Sequence, residues 1–151
     1  MNLARIACVV LLSSVVVSAQ AKDPVAGAWE RTAQKNLTTG EVQTPPNPPL
    51  RVIYANGYFV QFTAEAGRNK TQKPRAEMTK EEMVDRLRMQ GQSGTYRVEG
   101  VRLIKKTITA ADPNNEGREN TSDFRIEGDM LITTSVNTQG QKSESRFRKL
   151  K

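Results

Sequence analysis

Residues 25–34 have the sequence VAGAWERTAQ and contain the only tryptophan of the 151-residue chain. Trp29 stands at the start of a run of alternating apolar and polar residues, which predicts a first β-strand over Trp29–Leu37. A turn at TTGE ends this strand. The proline-rich stretch Pro45–Pro49 cannot pair regularly in a sheet and predicts an extended loop, which we expect to border a cavity mouth.

The next segment, LRVIYANGYFVQFTAE (residues 50–65), predicts the clearest hairpin in the chain. Asn56-Gly57 supplies the positive φ angles that a two-residue turn needs, and strand-like runs flank it on both sides. Because side chains alternate along a strand, Tyr58, Val60 and Phe62 share one face of the second run. We therefore expect these three side chains to face the interior of a barrel or sheet.

A short amphipathic helix is predicted over about residues 79–90, within MTKEEMVDRLRMQG. Thr79 and Glu82 have the spacing of a capping box, and Gly91 is expected to end the helix. The helix carries a narrow apolar stripe, formed by Met83, Val84 and Leu87. We expect it to lie over or beside the mouth of the cavity.

After Gly94 the strand-like runs return and are separated by the turns Glu99-Gly100, Glu127-Gly128-Asp129 and Gln139-Gly140. Together with the earlier runs they give about eight strands, the number at which an up-and-down barrel closes and removes its exposed edges. The predicted fold is therefore all-β: an antiparallel up-and-down barrel with one short inserted α-helix.

The N-terminal 21 residues have the features of a cleaved export signal. A basic start precedes the apolar run Ile6–Val17, and small residues bracket a cleavage point after Ala21. The apolar run is too short to span a bilayer. Residues 22–151 have the size of one domain with a single core, so we expect one exported domain, periplasmic or secreted.

The composition excludes several classes of site. Histidine is absent and the only cysteine, Cys8, lies within the predicted signal, which excludes His- and Cys-based catalytic triads and a disulfide. The most common transition-metal ligand is missing as well, and we expect neither a metal nor another cofactor. For an exported protein the net charge of +7 favours contact with anionic envelope surfaces and not with nucleic acid.

Four stretches resemble the lipocalin-like domains of bacterial proteins, which are calycin-type β-barrels, here in an exported form. These stretches are Gly27-Ala28-Trp29, VIYANGYF (52–59), GTYRVEG (94–100) and FRIEGDMLITT (124–134), and a final RFRKL (146–150) completes the pattern. The resemblance implies that Gly27 and Trp29 close one end of the barrel, with Trp29 beneath an arginine of the last strand, Arg146 or Arg148. A guanidinium over an indole ring is a favourable pair.

Seven apolar and aromatic side chains are candidates for lining a ligand cavity: Tyr54, Tyr58, Phe62, Met83, Leu87, Tyr96 and Phe124. Apolar pockets with a few phenolic hydroxyls are typical of small-ligand sites. The same side chains could equally fill the barrel, and the sequence leaves both possibilities open.

Two charged motifs have simpler interpretations than a site. The segment from Asp112 to Asp123 resembles a calcium loop imperfectly, and we favour a plain turn between strands. Lys105 and Lys106 could bind phosphate groups, but their alternation with apolar residues favours the outer face of a strand. Carboxylates are also clustered on the predicted helix, where solvated charge pairing is favoured over acid–base chemistry.

Three functions fit these observations. The favoured one is a non-catalytic binding protein for a small apolar or amphipathic ligand, acting as a monomer or a weak dimer. The second is a module that binds an anionic envelope polymer or a protein through its basic faces. The third is an isomerase- or cyclase-type enzyme on the same barrel, which would need a buried polar group with a shifted pKa that the sequence does not identify.

Overall fold

The structure is a computed structural model that describes residues 23–46, 48–65, 73–86 and 88–151. The predicted signal peptide, residues 1–21, lies outside the described residues. Across the described residues, no helix has both the length and the apolar character needed to cross a membrane.

Nine antiparallel strands form one sheet that closes on itself: β1 (Gly27–Asn36), β2 (Val42–Gln43), β3 (Leu50–Ala55), β4 (Tyr58–Ala64), β5 (Met89–Glu99), β6 (Arg102–Ala110), β7 (Glu119–Glu127), β8 (Met130–Val136) and β9 (Lys142–Lys149). Eight of them follow one another around a barrel, which the pairing of β1 with β9 closes. The ninth, β2, has two residues and pairs with the far end of β1. This confirms the predicted up-and-down barrel of about eight strands.

The connections differ between the two ends of the barrel. Tight turns at residues 56–57, 100–101 and 128–129 join strands at one end, which also holds the described N-terminal residues 23–26. Longer connections lie at the opposite end, which we call the open end. They include the helix α1 (Lys80–Arg86) and the 3-10 turns Arg75–Glu77 and Pro113–Asn115.

The predicted capping box is present at the start of α1. The backbone N–H of Thr79 donates to Oε2 of Glu82 at 2.9 Å, and the backbone N–H of Glu82 donates to Oγ1 of Thr79 at 3.2 Å. The predicted extent of the helix, residues 79–90, is wrong at its C-terminal end. Met89 already belongs to β5 and pairs with Ala64, because the long ladder with β4 provides more backbone hydrogen bonds than another helical turn.

The predicted hairpin is confirmed, but the predicted orientation of its second strand is wrong. Asn56 and Gly57 have positive φ angles, as a two-residue turn requires. The turn places Tyr54 directly opposite Phe59, and both are buried on the inner face. Since neighbouring residues in a strand point to opposite faces, Tyr58, Val60 and Phe62 point outward and are exposed.

The apolar core fills the half of the barrel at the tight-turn end. It is formed by Val25, Trp29, Leu50, Val52, Tyr54, Phe59, Tyr96, Leu103, Leu131 and Phe147. Every strand of the barrel except β7 contributes a buried residue to it, and Phe124 of β7 packs against its edge. A filled half leaves only the open half available for a ligand.

Candidate functional site: a polar cavity in the open half of the barrel

The closed end of the barrel is built around Trp29, which is 1% exposed. Its indole N–H donates to the carbonyl of Val25 at 2.8 Å, and Nζ of Lys149 lies 5.3 Å from the ring centre. The expectation that Arg146 or Arg148 covers the ring is wrong. Because Phe147 points into the core, its two neighbours point outward, where they pair with Glu144 and Glu30.

The backbone conformation at Gly27, two residues before Trp29, favours glycine. Its φ angle is +131°, and a Cβ at this position would lie 2.8 Å from Cε of Lys149. A residue with a side chain therefore meets a disfavoured backbone conformation and displaces the flexible end of Lys149, the cation that covers Trp29. The φ angle is thus the main reason for a glycine at this position.

Tyr54 and Tyr96 belong to the core and not to a ligand cavity. Their rings meet edge to face with centroids 5.0 Å apart, and the hydroxyl of Tyr96 donates to the carboxylate of Asp23. Burial raises the pKa of both phenols, and for Tyr96 the hydrogen bond to Asp23 raises it further. The pair fastens the described N-terminal residues to the barrel.

Above this core the open half encloses a cavity of about 610 Å³. Strand β4 contributes Gln61 and Thr63, and the neighbouring β5 contributes Gln90 and Gln92 on the same inner face. Amide and hydroxyl side chains also dominate the other walls, which are formed by Lys105, Ala110, Asp112, Asn115, Glu119, Asn120, Thr121, Ser122, Ser135, Val136, Asn137 and Thr138. The cavity is therefore polar.

Lys105 is the cation that faces this cavity. Its Nζ donates to Oε1 of Gln61 at 3.0 Å and lies 5.3 Å from the centre of the Phe59 ring. No ion pair among the described residues includes Lys105. Burial lowers its pKa to about 8, because removal from water disfavours the charged ammonium. A partly buried cation that is in no ion pair among the described residues can still accept an anionic partner.

A second cation, Arg31, also points inward, because it pairs directly with the core residue Phe147. One terminal nitrogen of its guanidinium donates to the carbonyl of Pro48 at 3.0 Å. Its Nε is buried and has no hydrogen-bond partner in the part of the chain that the structure describes. Burial lowers the pKa of Arg31. The barrel therefore directs Arg31 inward as well as Lys105, in addition to Lys149 over Trp29 at the closed end.

Known structures resemble this architecture. A lipocalin-like protein from Bacteroides uniformis superimposes on 83% of this chain and over 97% of its own length, with a TM-score of 0.51 and 13% sequence identity. The chain has a lipocalin-like fold. An uncharacterized protein from Bacteroides eggerthii superimposes on 83% of this chain and over 98% of its own length, with a TM-score of 0.49 and 12% identity. No protein-family model and no curated protein matches the sequence.

The candidate ligand-lining residues do not line the cavity of this lipocalin-like barrel. Tyr54 and Tyr96 fill the core, Tyr58 and Phe62 lie outside, and Phe124 packs at the edge of the core. Met83 is half-buried on α1, which contributes no described residue to the cavity wall, and Leu87 lies outside the described residues. Whether any of the seven contacts a ligand stays a prediction.

The cavity residues of the lipocalin-like barrel were missed because they are polar. Gln61 and Thr63 alternate with Val60 and Phe62, so the apolar set was assigned to the inside. Lys105 and Lys106 were assigned together to the outer face, whereas adjacent strand residues must point to opposite faces. The sequence does contain a signal for the orientation of Lys105. Leu103, Lys105 and Thr107 alternate and so share one face, and the apolar Leu103 indicates that this face is the inner one.

The calcium-like segment forms the connection between β6 and β7. Oδ1 of Asp112 accepts the backbone N–H of Asn114 at 3.0 Å, and Asp123 lies within β7 opposite Arg102. The two ends of the motif are therefore on different elements, and the interpretation as a turn between strands is confirmed. In the described ranges, no three acidic side chains converge as metal ligands would.

Proposed function

We propose that this exported lipocalin-like barrel is a non-catalytic binding protein whose open half holds a small polar or amphipathic molecule through an anionic group paired with Lys105. The observation that supports this most strongly is the inward ammonium of Lys105, whose neighbours are an amide and an aromatic ring and which is in no ion pair within the described part of the chain. Burying such a cation is unfavourable unless a counter-charge accompanies it. A carboxylate, phosphate or sulfate of a ligand supplies that charge.

The cavity walls indicate the rest of the ligand. Amides and hydroxyls from β4, β5, β7 and β8 can donate and accept hydrogen bonds, which suits a hydroxylated or amide-bearing body. Few wall residues are apolar, but the aliphatic parts of the glutamine, threonine and lysine side chains also line the cavity. The lining therefore favours the amphipathic form of the predicted ligand over a purely apolar one.

The acidic residues of the cavity support binding over catalysis. Asp112 holds the turn after β6, and Glu119 pairs with Arg97 at 3.1 Å. Lys105 is a buried group with a lowered pKa, as the enzyme alternative requires. Among the described residues, however, no ion pair joins it to either cavity carboxylate as an acid–base partner. The contacts of Asp112 and Glu119 direct them to other partners.

The outward-facing arginines argue against the alternative function, a module that binds an anionic polymer through its surface. Arg97, Arg125 and Arg146 each pair with a glutamate at 3.1 Å or less. These guanidinium groups already have counter-charges on the protein surface. Lys105, in contrast, lines the cavity and is in no ion pair among the described residues, which favours a small anionic ligand.

The experiment is isothermal titration calorimetry with matched probes: octanoate against octanol, and glucuronate against glucose. We compare the wild type with Lys105→Met and with Lys106→Met, whose side chain points outward from the next position. We expect at least one anionic probe to bind the wild type and Lys106→Met and to lose at least about tenfold in affinity for Lys105→Met, which is about 1.4 kcal/mol. Equal binding by Lys105→Met, or equal binding of each anionic probe and its neutral counterpart, would contradict the proposal.

A further inference from the structure

We propose that the exposed apolar face of strands β3 to β6 is the interface of a two-fold symmetric dimer, in which it packs against the same face of a second copy. This outer apolar face is formed by Ile53, Tyr58, Val60, Phe62, Met89 and Ile108. It lies on the outside of the barrel, away from the cavity, so the proposal is independent of the proposed function.

The six side chains of the outer apolar face are neighbours in the sheet. Ile53 lies directly opposite Val60, and Tyr58, Val60 and Phe62 follow one another on the outer side of β4. Phe62 covers the bare backbone of Gly91, two positions from Met89. Tyr58 is 63% exposed and Ile108, which lies at the bulge between β5 and β6, is 56% exposed. The face is therefore continuous across four strands.

The opposite side of the barrel shows how this protein covers apolar residues that face water. Ile132 also points outward, yet it is 2% exposed, because it lies between Arg125 and Arg146 on the adjacent strands. Glu144 joins both arginines in ion pairs at 3.3 and 3.0 Å, which holds their aliphatic stems over the sheet. On the outer apolar face, in contrast, Ile53, Tyr58 and Phe62 remain more than half exposed among the described residues.

The charges around the face favour a second copy as the occupant. Two cations near its border, Arg51 and Arg88, pair with Glu30 and Glu65 at 2.9 and 3.6 Å. The centre of the face is uncharged, and at its border Lys106 of β6 is in no ion pair among the described residues. Two copies can therefore meet while bringing few unpaired like charges together. An anionic partner, in contrast, would have to compete with these glutamates.

The exposed area is also of the size that a weak dimer needs. With a fully exposed large side chain at roughly 150–250 Å², the six residues expose on the order of 600 Å². A standard interface buries about 800 Å² on each partner, and monomers rarely leave more than a few hundred Å² of continuous apolar surface exposed. Because this area is smaller than the standard interface, we expect a weak dimer that forms below ~1 mM protein.

The first test is analytical ultracentrifugation of the purified protein over a range of concentrations. We expect a monomer–dimer equilibrium that Phe62→Glu shifts at least about tenfold towards monomer, while circular dichroism shows an intact sheet. Val101→Glu is the matched control, because Val101 is 67% exposed but lies in the turn before β6, outside the outer apolar face. A wild type that stays monomeric up to ~1 mM would overturn the proposal.

The second test uses the symmetry of the interface. In a two-fold dimer, residues at the centre of the face meet their own copies, and Val60 lies at that centre between Tyr58 and Phe62. In a Cys8→Ser background, which leaves no native thiol, we expect Val60→Cys to form a disulfide-linked dimer under mild oxidation and Val101→Cys to stay monomeric. Equal cross-linking of both variants would overturn the proposal.

A lipid surface is the main alternative occupant, and vesicle co-sedimentation distinguishes it. Vesicles of phosphatidylglycerol and phosphatidylethanolamine should leave the wild type in the supernatant. If the monomer instead co-sediments, and if Phe62→Glu abolishes this binding while Val101→Glu preserves it, the outer apolar face binds a membrane. That result would overturn the dimer.

Discussion

The ammonium of Lys149 lies 5.3 Å from the centre of the Trp29 ring, at the end of the barrel where the first and last strands meet. The two residues are also paired in the β1–β9 ladder, so the contact joins the two strands that close the sheet. A cation over an indole face is attracted by the ring quadrupole. The closed end is thus held by backbone pairing and by a side-chain contact at the same position.

Replacing this cation should loosen the closed end. We expect Lys149→Met to lower the free energy of unfolding by about 0.5–1 kcal/mol and to shift the emission maximum of Trp29, the only tryptophan. Arg148→Met is the control, because Arg148 points outward and pairs with Glu30. Fluorescence during urea unfolding measures both quantities. An emission change in Arg148→Met with none in Lys149→Met would show that Lys149 is not the cation that contacts Trp29.

Gly27 should be more sensitive to substitution than other glycines with positive φ. We expect Gly27→Ala to cost about 2–3 kcal/mol, because φ +131° is disfavoured for a residue with a Cβ and the added Cβ displaces the end of Lys149 from Trp29. Gly140→Ala, at φ +76° with no atom within 4 Å of the added Cβ, should cost only about 1 kcal/mol. Similar losses for the two variants in thermal unfolding would show that the contact with Lys149 is unimportant.

The hydrogen bond between Tyr96 and Asp23 should contribute to stability. We expect Tyr96→Phe to lower the free energy of unfolding by about 1–3 kcal/mol, because it leaves a half-buried carboxylate without this donor. Tyr58→Phe, on the outer face, removes a hydroxyl from an exposed ring and should change stability by less than about 0.5 kcal/mol. Urea unfolding of both variants decides between these outcomes.

The partly buried Lys105 should make stability depend on pH in the alkaline range. Its folded pKa of about 8 lies below the ordinary 10.5, so between these values the folded protein binds fewer protons than the unfolded chain. Stability therefore rises with pH across this window, and the wild type should gain about 2 kcal/mol relative to Lys105→Met between pH 8 and pH 10. If the free energy of unfolding changes with pH in the same way in both proteins, the pKa of Lys105 is not lowered by its surroundings.

The same titration should govern ligand binding. Only the protonated ammonium attracts an anion, so affinity for an anionic ligand should be constant below pH 8 and fall above it, by up to about tenfold per pH unit. Calorimetric titrations at several pH values measure this fall. An affinity for an anion that stays constant up to pH 10 would place its charge away from Lys105.

Features set by local chemistry could be predicted from the sequence. The Asn56-Gly57 turn, the Thr79/Glu82 capping box and the strand that opens at Gly-x-Trp all follow from neighbouring residues. Together with the spacing of the turns they were sufficient to predict the closed barrel.

Features that depend on which face of a strand points inward could not be predicted from the sequence. In β4 both alternating sets contain aromatic residues, so apolarity alone assigned the wrong set to the inside. The cation over Trp29 was misassigned for a similar reason, since only the β1–β9 register places Lys149 opposite Trp29. The polar interior at Lys105 contradicts the usual rule that barrel interiors are apolar, and such exceptions are expected where a ligand binds.

Native mass spectrometry of the protein, purified without denaturation, tests the central claim that Lys105 holds an anionic ligand in the open half of the barrel. We predict a stoichiometric small molecule with a carboxylate, phosphate or sulfate group, present in the wild type and in Lys106→Met but lost from Lys105→Met. The same molecule bound equally to Lys105→Met, or a wild type that neither carries nor takes up an anionic molecule, would contradict the account.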